Sequence, residues 1–204
     1  MKLLLLGATG TFGSSFVKRL IDDTDCHLTL FSRHASEKYK ECSRITVIDG
    51  DAMKAADLKV AVYGHNAVYC AISGDELPAV AKNIVSAMKV NGVNRLIFMG
   101  AVGIYNEIPD EMDGKDNVRN NPEQIPNKQA VDIIEASDLN YTILRPGYLQ
   151  DGDENDFVLT VKGEPAKGYI TTISSVEALA IKLLTDENLY SRTSVSITKN
   201  MENF

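Results

Sequence analysis

Short apolar runs alternate with stretches of helical period through the first half of the chain. "KLLLL", Lys2 to Leu6, is unbroken and apolar, the pattern of a strand covered on both faces of a parallel sheet. A glycine-rich turn follows. "TFGSSFVKRLIDD" then sets Phe12, Phe16, Val17, Leu20 and Ile21 at helical spacing. "CHLTLFSR" predicts a second strand and "RITVID" a third. "MKAADLKVAVYG" suits a helix, "NAVYCAI" a fourth strand, and "LPAVAKNIVSAMKVNG" a helix that Gly92 stops. "VNRLIFMGA" is a fifth strand. This alternation predicts an α/β fold, a Rossmann-like doubly wound parallel sheet with right-handed crossovers.

The pattern breaks at Asn106–Pro126. "NEIPDEMDGKDNVRNNPEQIP" is polar and acidic and holds three prolines, so we expect a long loop and a candidate lid. "NKQAVDIIEASD" returns to helix and "NYTILRP" to strand. Beyond Gly147, "LQDGDEND" reads as an acidic loop, and "FVLTVKGEP" and "GYITTIS" as short strands. "SSVEALAIKLLTD" predicts a helix capped by Ser174 or Ser175, and "TSVSIT" a last strand. The expected organisation is one domain over residues 1–204, in which about 147–204 form a small substrate-side lobe.

Charge and composition then narrow the function. The net charge is −7 with no basic cluster, and tryptophan is absent, which disfavours direct nucleic-acid binding. The three cysteines, Cys26, Cys42 and Cys70, form no CxxC pair and read as reduced thiols of a cytoplasmic protein. The three histidines lack metal-ligand spacing, so no metal is expected. The opening leucine run stops at Gly7, too short for a membrane span.

The chemistry begins at "LLLLGATGTFGSS". Gly7, Gly10 and Gly13 lie between a strand and a helix, where glycine allows a tight turn and close approach to a pyrophosphate. The helix N-terminus adds free N–H groups and the positive end of a dipole. At the end of the second strand, "LFSRHASEK" has no acid to hold a ribose hydroxyl until Glu37. Ser32 and Arg33 stand where the 2′-phosphate of NADP would lie, with His34 and Lys38 as added charge. NADP(H) is therefore preferred over NAD(H), against the plain alternative that Arg33 is a solvated loop residue. Asp51 either caps the next helix or accepts from the adenine amino group. "CAISG" ends the fourth strand with small side chains that let a cofactor lie close.

"LLLLGATGTFGSSFVKRL", "RLIFMGAVGIY" and "AVDIIEASDLNYTILRPGYL" together resemble the atypical short-chain dehydrogenase/reductases, in the branch of NmrA-like and flavin-reductase-like NAD(P)-binding proteins. The resemblance implies NADP(H) at Gly7, Thr9, Gly10, Thr11, Phe12, Gly13, Ser32, Arg33 and Asp51, with Cys70, Ala71, Ile72, Pro146, Gly147 and Tyr148 beside the nicotinamide. Ordinary members carry a serine after the fifth strand and a Tyr-x-x-x-Lys, whose tyrosine is the general acid/base and whose lysine holds the ribose. Here Gly100 and Ala101 replace the serine; the Tyr-x-x-x-Lys register that ends on Lys128 puts Gln124 in the tyrosine position, the Pro-Tyr-Arg-Lys register of related reductases meets "PNKQ", Pro126 to Gln129, and neither gives a tyrosine. Tyr105 and Tyr148 are the nearest phenols, each more simply a packing or rim residue, and no catalytic residue is assigned.

Carbonyl reduction needs a proton donor beside the developing alkoxide. Hydride transfer to a flavin or quinone asks less, because a planar acceptor delocalises its own charge. The expected function is an NADP(H)-dependent reductase of such a small-molecule acceptor. The alternative is a non-catalytic NAD(P)-sensing regulator of the NmrA-like kind, acting through a protein partner or a homodimer. An epimerase or dehydratase ranks last, since residues 147–204 leave little room for a nucleotide-sugar.

Overall fold

The computed structural model describes residues 1–112 and 114–201. In chain order its elements are β1 (Lys2–Leu6), α1 (Thr11–Asp23), β2 (His27–Ser32), α2 (Ala35–Lys38), β3 (Ile45–Asp49), α3 (Ala55–Val62), β4 (Ala67–Cys70) and α4 (Leu77–Asn91). There follow β5 (Arg95–Met99), α5 (Ile125–Glu135), β6 (Asn140–Pro146), β7 (Tyr148–Gln150), β8 (Val158–Val161), β9 (Ile170–Thr172), α6 (Ile173–Thr185) and β10 (Thr193–Thr198). The main sheet has eight strands in the order β3-β2-β1-β4-β5-β6-β10-β8. All its pairs are parallel except β10 with β8. The order reverses between β1 and β4, so a crevice opens at the carboxyl ends of the strands there.

The unbroken apolar runs are explained by burial on both faces. Successive side chains of a strand point to opposite sides. Leu4, Leu6, Val68, Leu96 and Phe98 therefore enter one layer, against α3, α4 and α5. Leu3, Leu5, Tyr69, Ile97 and Leu144 enter the other, against α1 and α6. Gly92 ends α4 at φ +67, as its position predicts.

Residues 147–201 distribute between two places. β10 and β8 continue the main sheet and α6 packs beside α1, whereas β7 and β9 form a separate two-stranded sheet just beyond β6. The cap of α6 is Thr172 rather than Ser174 or Ser175: its hydroxyl accepts from the Ser175 N–H at 3.2 Å, which starts the helix earlier.

The segment after β5 is tied down by its own polar groups. Asn117 is fully buried and pairs with the backbone of Ile108 in both directions, accepting its N–H at 3.0 Å and donating to its carbonyl at 2.8 Å. Short 3-10 turns occupy Asp110–Met112 and Pro122–Gln124, and α5 starts at Ile125, before the predicted Asn127. Among the described residues no helix is long and apolar enough to cross a membrane.

Candidate active site

The first of two cavities along the carboxyl edge lies at the β1/β4 reversal and encloses about 630 Å³. Gly7, Thr9, Gly10, Ser32, Arg33, Asp51, Ala71 and Ile72 line it, which brings together half of the residues expected to hold a cofactor. Gly7 turns the chain at φ +83, and its N–H donates to the Phe31 carbonyl at 3.0 Å. A Cβ on Gly13 would stand 2.2 Å from the Gly7 carbonyl oxygen, so α1 begins pressed against the turn. Gly10 is the N-cap of α1, with no side-chain cap and no acid in the first turn. The first amides of α1 are thus left for an anion.

Thr11, Phe12 and Gly13 lie on this helix turn rather than on the cavity wall. Phe12 is buried and stacks on Tyr69 at 5.9 Å between ring centroids, so only its backbone is on offer. Cys70 is fully buried beneath the wall, where burial pushes its thiol up to about 12.

Two features of the crevice fit a phosphorylated ribose. The Ser32 hydroxyl is buried without a hydrogen-bond partner among the described residues, and a buried polar group is costly to leave unpaired. Arg33 is exposed and, among the described residues, in no ion pair. The turn that presents Arg33 is braced by Asp49, which accepts from the Ser36 N–H at 2.8 Å and from its hydroxyl; these bonds hold the Asp49 carboxyl below its usual range. Lys38 reaches the Thr9 carbonyl at 3.4 Å.

Asp51 does not cap α3, whose N-cap is Lys54. Its carboxylate accepts from the Met53 N–H at 2.9 Å and lies on the cavity wall. Ser73 and Gly74, the end of "CAISG", are on the wall, whereas Asp75 to Leu77 with Val80, and Gly50, Ala52 and Met53, were not singled out from the sequence. Their signal was position alone: most of them follow the ends of β3 and β4, where this fold places its ligands.

The second cavity, about 240 Å³, opens at the ends of β5 and β6. Ala101, Val102, Pro146, Gly147 and Tyr148 meet Asp116, Asn121, Glu123, Gln124, Asn127 and Tyr169 there. Ala101 and Gln124, which the resemblance sets at the serine and tyrosine positions, are both on its wall. The Gln124 amide donates to the Val102 carbonyl at 3.3 Å and accepts from Asn127 at 3.2 Å. Lys128 is absent from both cavities; Asp132, one turn along α5, holds its ammonium at 2.5 and 2.7 Å.

The two candidate phenols part company. Tyr105 donates to Glu135 at 2.7 Å, and Lys162 meets the same carboxylate at 2.7 Å. Its ring lies under the buried Arg145 guanidinium, at 5.0 Å, and burial above all pushes its hydroxyl up. It faces a different cavity, with Glu107 and Arg119. Tyr148 is on the second cavity and donates to Asp116 at 3.0 Å. That bond, then burial, then the charges of Asp116 and Glu123 raise its pKa.

Comparison with known proteins agrees with this geometry. A family model described as NAD(P)H-binding matches residues 7–187. A Rossmann-fold NAD(P)-binding family protein from Shigella flexneri is 32% identical, with 100% of this chain and 98% of that chain covered and a TM-score of 0.82. A short-chain dehydrogenase/reductase from Veillonella parvula, in complex with NADP, is 25% identical over 100% of this chain and 96% of that one, at a TM-score of 0.88. ChuY, an anaerobillin reductase from Escherichia coli O157:H7, shares the fold at 19% identity and a TM-score of 0.82, covering 100% of both chains. A search of curated proteins finds no match. With its glycine turn, its crevice at the strand-order reversal and its match over residues 7–187, the chain belongs to the NAD(P)H-binding Rossmann family, among proteins like the atypical short-chain dehydrogenase/reductases.

Proposed function

We propose that the protein is an NADPH-dependent reductase of a planar acceptor such as a flavin or quinone. One observation supports the reading: a second cavity lies on the same sheet edge as the nucleotide crevice, and Ala101 and Gln124, which the resemblance sets at the serine and tyrosine positions, both line it. A bound reduced nicotinamide supplies hydride, two electrons with one proton, and water supplies the second proton that completes the dihydro acceptor. The chain's own part is to hold and align. The α1 amides and the Gly7–Gly13 turn take the pyrophosphate. Ser32 and Arg33, with Lys38 behind Thr9, take the 2′-phosphate, and Asp51 lies toward the adenine. Ala71, Ile72, Pro146 and Gly147 offer small edges against which two rings can stack at near-attack distance. The preference for NADP(H) is supported by the unpaired Arg33 and by the NADP bound in the Veillonella protein.

The test is a titration with NADPH and NADH, followed by steady-state NADPH oxidation with flavins and quinones. The expected result is tighter NADPH binding and saturable oxidation with at least one acceptor. No oxidation above background with any of them overturns the reductase reading, and equal affinity for NADH overturns the role of Arg33. One observation favours the alternative, a non-catalytic NAD(P)-sensing protein: Asp116 and Asn121 make the 106–126 loop part of the second cavity, so a ring bound there would be felt by the loop. Nucleotide-dependent protection of that loop from proteolysis, without turnover, selects this alternative.

A further inference from the structure

If the second cavity receives the acceptor, as proposed above, its charge decides which acceptors enter. Its polar wall holds two carboxylates, Asp116 and Glu123, and the carboxamides of Asn121, Gln124 and Asn127, with no lysine or arginine among the described lining residues. Two neighbouring cations are engaged elsewhere: Lys128 is held by Asp132 and Arg119 is paired with Asp110. Lys115 lies off this wall, in a small adjoining cavity that shares Asp116 and Tyr169 with it.

The phenol of Tyr148 already reads this field. It stands on the cavity rim, donates to Asp116 at 3.0 Å, and feels both Asp116 and Glu123 hold its proton in place. A ligand bringing a negative charge to the same rim meets the same two carboxylates, with no cation on the wall to offset them. Building such a like-charge contact against one ligand and not another is how a site discriminates between rings of the same shape.

We infer that the cavity selects its acceptor by charge. It takes an uncharged planar ring, whose carbonyl oxygens the carboxamides can meet and whose N–H groups, where the ring has them, donate to the carboxylates, and it rejects the same ring bearing a phosphate, sulfonate or carboxylate. The reduction itself adds hydride and a water-derived proton to the ring as NADPH becomes NADP⁺, and a charged substituent takes no part. Its effect falls on binding.

Two matched pairs test this: menadione against a naphthoquinone sulfonate, and riboflavin against its phosphate ester. The sulfonate pair is the sharper, because the charge sits on the ring. Affinity of each is measured by equilibrium dialysis with the full chain saturated in NADP⁺, and kcat/KM is measured with NADPH. The uncharged member of each pair is expected to bind about tenfold tighter or more. Glu123→Gln, and separately Asp116→Asn, should narrow the gap by improving the anionic member, a gain that a damaged cavity does not produce. If the anionic members bind and are reduced as well as the neutral ones, the acceptor reading stands and charge selection is overturned. If neither member of either pair binds or is reduced, the acceptor reading falls and charge selection with it.

Discussion

The nucleotide crevice and the proposed acceptor cavity share one edge of the sheet and are built by different means. The crevice comes from the first 80 residues and depends mainly on backbone: a glycine turn, the open amides of α1 and the ends of adjacent parallel strands. The second cavity draws on residues from Ala101 to Tyr169 and depends on side chains, several of them carried by a loop. A backbone site is set by the fold and withstands side-chain change except where a Cβ has no room. A side-chain site can change its chemistry while the fold stays the same.

The sharpest way to separate the two regions is to loosen the loop. Glu107 pairs with Arg145, and the two side chains are 5% and 0% exposed. Glu107→Ala leaves a buried guanidinium without its carboxylate and should cost about 3–5 kcal/mol in urea denaturation. Where the variant still folds, acceptor binding should weaken more than NADPH binding. Gly13→Ala is the converse. Its Cβ would meet the Gly7 carbonyl, so stability should fall by about 1–3 kcal/mol and NADPH affinity by about 100-fold or more, with the second cavity intact. The comparison breaks if either variant damages both sites equally.

Smaller effects refine the picture. Arg33→Ala should weaken NADPH about 10- to 100-fold by titration and leave NADH unchanged, since only the 2′-phosphate is lost as a partner. Glu177 should touch neither site. It sits on α6, is 5% exposed with one carboxylate oxygen unpaired, and its pKa is raised, chiefly by burial. A carboxyl whose folded pKa exceeds its unfolded value binds more protons when folded, so stability falls as pH rises from the unfolded value through the raised one. Glu177→Gln should therefore be more stable than the parent at neutral pH, by about 1 kcal/mol, and nearly equal to it in acid. Melting temperatures across that range, with NADPH affinity unchanged, check it.

Much of the sheet was legible because each strand is a local apolar run and each helix a local period. Gly92 and the glycines of the turn carry their meaning in their own neighbourhoods. Caps were less legible: Thr172 and Ser175 are both good capping residues, and only the helix start decides between them. Asp51 looked like a cap because it precedes a helical pattern, but α3 begins one turn later. The second cavity was the least legible. Its wall depends on Asn117 pairing with Ile108 and on Arg145 reaching Glu107 from 38 residues away, and composition alone reads those polar residues as a plain loop.

In the proposed function, hydride transfer proceeds without a protein acid/base pair. Steady-state NADPH oxidation with an uncharged quinone tests this, run on the parent and on Tyr148→Phe, which removes a phenol of the second cavity that donates to a carboxylate. Saturable oxidation should survive the substitution with little change. No oxidation by the parent above background, or a loss of about 100-fold or more in Tyr148→Phe, as expected when a general acid is removed, would contradict it.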